Sequence, residues 1–305
     1  MITSLVTGGA GFIGHHLVKA LAERGDTVRV VDNNAGGYFP ERTVVRVEYN
    51  DYDIADPQNE KRLVADCAGV DHVYHLAALP RVQSSIEDPV GTARVNVLGT
   101  VAMLNAAHKA GVKRVVFASS SSVYGNSYNL PLQEHHALEP MSPYARHKYQ
   151  GEQYCQDFAN EPFNLESVCL RFFNVYGPGA DPRGAYALVV AKFLEQKRNG
   201  EPLTITGDGT QTRDFTHVSD VVRALLLAAE TIEVCDGEAI NVGGGRQVSV
   251  NEVAKLIGGP VMYIPARLEP HHTLASIERA KEVLGWEPQV SFEEGIRQLL
   301  ESNHL

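Results

Sequence analysis

The sequence predicts an α/β protein: a doubly wound parallel sheet followed by a smaller α/β domain. Three observations predict it. A short apolar run ends in clustered glycines and gives way to a helical pattern, a second apolar run ends in an acid, and strand and helix patterns then keep alternating.

The first strand covers Thr3 to Thr7 and runs into Gly8-Gly9-Ala10-Gly11-Phe12-Ile13-Gly14. These glycines fit G-x-G-x-x-G as Gly9, Gly11 and Gly14, and equally G-x-x-G-x-x-G as Gly8, Gly11 and Gly14. Missing side chains let the backbone approach a pyrophosphate, which then lies against the N–H groups and positive dipole of the following helix. That helix reads His15 to Arg24, with Gly25 as its C-cap. The second strand, Thr27 to Val31, ends at Asp32, where an acid grips the hydroxyls of an adenosine ribose. A carboxylate there repels a 2′-phosphate, and Asn33-Asn34 bring no cation, so NAD is expected rather than NADP.

The alternation continues with Val70 to Ala78, a strand entering a small-residue loop. Ala77 and Ala78 there either face the cofactor or simply allow helix–sheet packing. A helical stretch from Thr92 to Lys109 closes at Gly111, and Arg114 to Ser119 form the next strand. Ligands of such sheets lie across the carboxyl ends of the strands, so the run Ser119-Ser120-Ser121-Ser122 falls at the ligand edge, where a hydroxyl can bond a substrate oxygen. Tyr144-Ala145-Arg146-His147-Lys148 puts a phenol and an ammonium one helical turn apart on one face. A phenol titrates near pH 10, and a cation alongside favours the phenolate, which makes the pair a proton-transfer device.

Composition agrees with an enzyme rather than a nucleic-acid binder. A chain of 305 residues buries a large core, and a formal charge of −10 leaves no basic stripe. Cys67, Cys155, Cys169 and Cys235 show no CxxC spacing, which implies a reducing compartment and no structural zinc. The pairs His135-His136 and His271-His272 do not converge readily on one ion, so no metal is expected. The first strand begins at once, leaving no room for a signal peptide, and no apolar run reaches membrane-spanning length; the cytoplasm is the expected compartment.

Taken with His75-Leu76-Ala77-Ala78, Ser119 to Gly125 and Ser142-Pro143-Tyr144 through Lys148, the glycine turn and Asp32 resemble the extended short-chain dehydrogenase/reductases that act on nucleotide sugars, the NAD-dependent epimerase/dehydratase family. In the C-terminal half, Arg171 to Pro178, Gly207 to Phe215 and Leu284 to Pro288 are similar to the family's substrate domain. The resemblance implies a Rossmann NAD-binding domain over 1–171, rejoined by a segment near 215–244, and a nucleotide-sugar domain over 172–305. It implies resident NAD held by Gly8, Gly11, Phe12, Ile13, Gly14, Asp32, Asn33, Asp53, Ile54, Ala77, Ala78, Asn96, Tyr144, Lys148 and Phe172. It also implies a UDP-sugar substrate and a homodimer, with no nucleic-acid or membrane partner.

The implied mechanism begins with Tyr144 taking the proton of the sugar's 4-hydroxyl while NAD takes hydride from carbon 4. Lys148 holds the nicotinamide ribose, and Ser120, three residues before Val123, bonds the same oxygen, with Ser121 and Ser122 still open as alternatives. In the family's epimerases the keto sugar then turns and receives hydride on its other face. The family's 4,6-dehydratases carry Thr-Asp-Glu where Ser120-Ser121-Ser122 stand, so dehydration is not expected, and no acidic partner for decarboxylation is found. On the substrate side the resemblance assigns Ser121, Ser122, Asn174, Arg213, Arg267, Glu269 and Thr273. Thr273 occupies a position where a small residue leaves room for a 2-acetamido group; its other reading is an N-cap for a helix from Ile277 to Trp286. The expected activity is a 4-epimerase of UDP-GlcNAc/UDP-GalNAc that also takes UDP-Glc/UDP-Gal. The alternatives are a UDP-glucuronate 4-epimerase and, from another class, an idle NAD-binding sensor or scaffold.

Overall fold

Strand and helix alternate through the first half of the chain in the computed structural model, which describes residues 2–37, 42–126, 129–182, 189–266 and 271–305. The order is β1 (Thr3–Thr7), α1 (Phe12–Arg24), β2 (Thr27–Asp32), β3 (Glu48–Asp51), α2 (Glu60–Cys67), β4 (His72–His75), α3 (Val82–Glu87), α4 (Pro89–Ala93), a π turn over Arg94–Leu98, α5 (Gly99–Ala110), β5 (Arg114–Ser120), α6 (Pro143–Ala159) and β6 (Glu166–Phe172). The second half adds β7 (Val175–Tyr176), α7 (Val189–Arg198), β8 (Leu203–Thr206), β9 (Thr212–Asp214), β10 (Thr216–His217), α8 (Val218–Glu230), β11 (Asp236–Val242), β12 (Gln247–Ser249), α9 (Val250–Ile257), β13 (Val261–Ile264), α10 (Glu278–Leu284) and α11 (Phe292–Ser302).

Among the described residues one seven-stranded sheet dominates, in the order β11-β6-β5-β4-β1-β2-β3, and every pairing in it is parallel. Strand order reverses between β1 and β4, the switch point at which a crevice opens beyond the strands' carboxyl ends. Strands covered on both faces carry unbroken apolar runs such as Val115-Val116-Phe117-Ala118, all buried. On one face Leu17, Val18 and Leu21 of α1 meet Val221 and Leu225 of α8. The other face is covered by Leu63, Met103, Leu104 and Phe158. A separate core, with Phe193, Ile205, Val253, Phe292 and Ile296, lies under the smaller sheets.

The helix expected from Thr92 begins earlier, because Asp88 caps the Gly91 N–H at 2.8 Å and Pro89 stands in the first turn. The π turn then interrupts it before α5. Ser119 and Ser120 belong to β5 itself, and Ser121–Tyr124 form a short 3-10 turn rather than an open loop. The helix expected over Ile277 to Trp286 is the shorter α10, ended by Gly285 at φ 61°.

Candidate active site

The turn between β1 and α1 leaves no room for side chains. A Cβ on Gly8, which has φ +72°, would lie 2.7 Å from the Ala77 nitrogen, and one on Gly14 would lie 2.1 Å from the Gly8 oxygen. One on Gly9 would strike Val30 at 2.7 Å. Ala77 thus packs directly on Gly8, and its N–H meets Thr7 Oγ1 at 3.3 Å. Phe12 and Ile13 open α1 and pack partly buried against the core.

Asp32 ends β2 with its carboxylate accepting from the Ala10 N–H at 2.9 Å and the Asn34 N–H at 2.8 Å. It lines a cavity of about 220 Å³ with Ala10, Asn34, Arg42, Tyr49 and Asp51, among others. Here the sequence reading needs a correction: a cation does stand beside Asp32. Arg42 folds back to the cavity and donates to Ala10 O at 3.2 Å and to Gly179 O at 2.8 Å. Asn33 turns its side chain to the Ala35 N–H at 3.1 Å.

Three expected cofactor residues have side chains engaged within the chain. Asp53 pairs with Arg94 at 2.6 Å, Ile54 is buried, and buried Asn96 spans the Leu79 N–H at 2.7 Å and Leu79 O at 3.1 Å. Asn96 thereby fixes the loop after β4, in which Ala78 lies.

The serines take separate roles. Ser119 donates to Glu152 Oε1 at 2.5 Å. Ser120 accepts from the Ser122 N–H at 3.2 Å, and its side chain is the one that pulls the Tyr144 phenol down against burial. Ser121 opens the 3-10 turn, and the Ser122 hydroxyl is buried without a partner among the described residues. Tyr144 and Lys148 share α6, which starts where Ser142 caps the Ala145 N–H at 3.1 Å; the Tyr144 N–H donates to Ser85 Oγ at 3.0 Å. Phe172, buried, pairs with Ser120 across β5 and β6.

Electrostatics here differ from the sequence expectation. Burial pushes the Tyr144 phenol up, and the force that lowers it comes from Ser120 rather than from Lys148. Burial likewise pulls the Lys148 ammonium down to about 8, and it donates to Ala118 O at 2.7 Å. Desolvation is the largest influence on both groups.

Behind the serines lies a network that sequence reasoning missed. Glu152, one turn beyond Lys148, holds Arg171. Arg171 in turn donates to the Tyr124 hydroxyl at 2.8 Å, and Tyr124 donates to Asn241 Oδ1 at 2.7 Å. The one local signal was a glutamate on the helical face of Lys148.

On the substrate side, Asn174 at φ 26° donates to Asp214 O at 2.9 Å. Arg213 donates to Thr212 O at 2.9 Å and His271 O at 3.3 Å. The Thr273 hydroxyl accepts from the Asp214 N–H at 3.2 Å. Thr273 stands in an extended segment ahead of α10, so it is not that helix's N-cap; Ile277 is. Arg267 and Glu269 lie outside the described residues. Among the described residues no cluster of His, Cys, Asp and Glu could hold a metal, and no helix is long and apolar enough to cross a membrane.

Known proteins with this arrangement are numerous. A UDP-glucose 4-epimerase of Mycolicibacterium smegmatis is 38% identical over 98% of this chain and 97% of its own length. The crystal structure of a Thermotoga maritima UDP-glucose 4-epimerase with UDP-glucose superposes with a TM-score of 0.92 at 40% identity, covering 98% of each chain. A UDP-N-acetylglucosamine 4-epimerase of Methanobrevibacter ruminantium, in complex with UDP-N-acetylmuramic acid, gives 0.90 at 33% identity over 99% of each chain. Residues 4–243 match the family model of the NAD dependent epimerase/dehydratases, and the chain is an enzyme of that family.

Proposed function

We propose that the protein is a UDP-sugar 4-epimerase with tightly bound NAD, interconverting UDP-GlcNAc with UDP-GalNAc, and also UDP-Glc with UDP-Gal, through a transient 4-keto sugar. The observation that carries the reading is the placing of Tyr144 and Lys148 one turn apart on α6 beside the end of β5, where Ser120 stands and acts on the phenol. A non-catalytic sensor has no use for that constellation.

The residues fit the dinucleotide. The turn admits no Cβ at Gly8, Gly9 or Gly14, and Asp32 borders a cavity of about 220 Å³. Gly8 to Gly14 would hold the pyrophosphate, Asp32 the adenosine ribose, and Tyr144 and Lys148 the nicotinamide ribose. NAD, when bound, supplies the acceptor and later the donor of the hydride at the sugar's carbon 4. Tyr144 removes the 4-hydroxyl proton and afterwards returns it. Ser120 bonds the same oxygen, which keeps it in line with the phenol, and the unpartnered Ser122 hydroxyl offers a further donor. Asn174, Arg213 and Thr273 bind the nucleotide and the sugar; the segment 1–171, rejoined by the stretch near 215–244, carries NAD and the rest of 172–305 the nucleotide sugar. Thr273 is small, which supports acceptance of the 2-acetamido group. We read the working form as a cytoplasmic homodimer; the free thiols of Cys67, Cys155, Cys169 and Cys235 suit a reducing compartment.

The test is to incubate the purified protein with UDP-GlcNAc, UDP-Glc and UDP-glucuronate separately and follow the 4-epimers by NMR. Conversion of the first two supports the reading. Turnover of UDP-glucuronate alone, or of none, refutes it.

A further inference from the structure

Asp214 closes β9 and is fully buried, yet no ligand role falls to it. All of its polar groups are engaged, and together they reach three segments around the substrate-side residues: Asn174, Gly244-Gly245 and Thr273 to Ala275. Its backbone oxygen accepts from Asn174 Nδ2 at 2.9 Å, and its N–H donates to Thr273 Oγ1 at 3.2 Å. Its carboxylate accepts from the N–H groups of Gly244 at 2.5 Å, Gly245 at 3.1 Å and Ala275 at 2.9 Å. The two glycines follow β11, whereas Ala275 lies two residues beyond Thr273. The close approach is built in: a Cβ on Gly243 would meet Asp214 Oδ2 at 2.9 Å, and one on Gly244 would meet the Phe215 oxygen at 2.3 Å.

The geometry points to Asp214 as the positioning residue of the UDP-sugar site: its carboxylate and peptide lock Asn174, Arg213 and Thr273 into one rigid unit. Arg213 is the residue next to it in β9, and its guanidinium lies on the carbonyls of Thr212 and His271, at the edge that Thr273 pairs with. The segment carrying Thr273 is held to β9 by the Thr273 N–H on Thr212 O at 3.2 Å, so the carboxylate bond to Ala275 supplies a second point of attachment just past it. Burial raises this carboxyl to about 6, which leaves it mostly ionised at neutral pH and able only to accept, as three N–H donors require. An amide at this position has one accepting oxygen and must turn N–H groups toward a backbone N–H, which forces either Gly244-Gly245 or the Ala275 segment away. The binding groups would then be present but misplaced, and misplacement of a donor by a fraction of an ångström weakens a bidentate contact to an anion.

This inference rests on the UDP-sugar reading and is tested by Asp214→Asn, with UDP and NAD as separate probes in calorimetry. UDP should bind about tenfold more weakly, the equivalent of one hydrogen-bonded contact, while NAD affinity changes less than about threefold. In turnover the loss should fall on KM, with kcat nearly kept. A folded variant that binds UDP like the wild type, or that loses UDP and NAD affinity alike, overturns the assignment. A measurement on the wild type covers the case of a variant that does not fold. In hydrogen exchange, UDP should protect the Gly244, Gly245 and Ala275 amides by a common factor and NAD should not; separate responses of the three overturn the proposal. If the wild type fails to bind UDP at all, the substrate reading itself falls, and this inference with it.

Discussion

Glu152 and Arg171 form a two-point ion pair, Nε to Oε1 at 2.9 Å and Nη2 to Oε2 at 2.8 Å, with both side chains at 5% exposure or less. The pair ties α6, which carries Tyr144 and Lys148, to β6 and through Ser119 to the serine run. Removing one partner of a buried pair leaves an uncompensated charge, so Glu152→Ala should cost about 3–5 kcal/mol in urea unfolding. The double variant Glu152→Leu with Arg171→Met should recover much of that loss. Equal losses in the single and double variants would show that the charge pairing is not what stabilises this region.

Tyr144→Phe keeps the ring but removes the hydroxyl that would take the proton. Turnover should fall by roughly 10²-fold or more, with NAD retained and melting little altered. Near-wild-type turnover would mean that another group moves the proton.

Asp32 should bind ribose hydroxyls and repel a 2′-phosphate, so calorimetry should find NAD bound more tightly than NADP. The Arg42 guanidinium lines the same cavity and donates to Ala10 O and Gly179 O. Tighter binding of NADP would contradict this account.

Thr273→Tyr should abolish turnover of the N-acetylated sugars by steric overlap while sparing UDP-Glc and UDP-Gal. The variant also loses the acceptor for the Asp214 N–H, so a moderate rise in KM for all substrates should accompany the change. Full activity on UDP-GlcNAc would remove Thr273 from the sugar pocket.

Buried His75 lies between Thr7 Oγ1 at 2.7 Å and Thr100 Oγ1 at 3.0 Å, and burial pulls it from 6.5 down to about 3. Its folded value is depressed, so its contribution to stability is complete above pH 6.5 and is lost as pH falls toward 3. The unfolding free energy should therefore decline on acidification through that window, with His75 supplying up to about 1.4 kcal/mol per pH unit. His75→Gln should flatten the decline in urea titrations at successive pH values; an unchanged slope would assign it to other groups.

What the sequence determined by itself is whatever chemistry is local along the chain. Apolar runs that end in glycine, a helix spacing that stacks Tyr144 over Lys148 and an acid closing the second strand all depend on residues close in sequence, where backbone sterics and helical pitch leave few alternatives. The parallel sheet and the placing of Tyr144 and Lys148 on one helix were legible for that reason. Tertiary structure alone decided which groups converge from far apart. Ser119 donates to Glu152 while Ser120 acts on the Tyr144 phenol, a division set only by how α6 packs on the end of β5. Arg42 lines the Asp32 cavity, a convergence that no periodicity encodes. Desolvation, not the lysine charge, dominates the Tyr144 phenol, since burial is a property of the packed whole. Asp214 gathers Asn174, Gly244, Gly245, Thr273 and Ala275 only once β9, β11 and the segment before α10 have packed together.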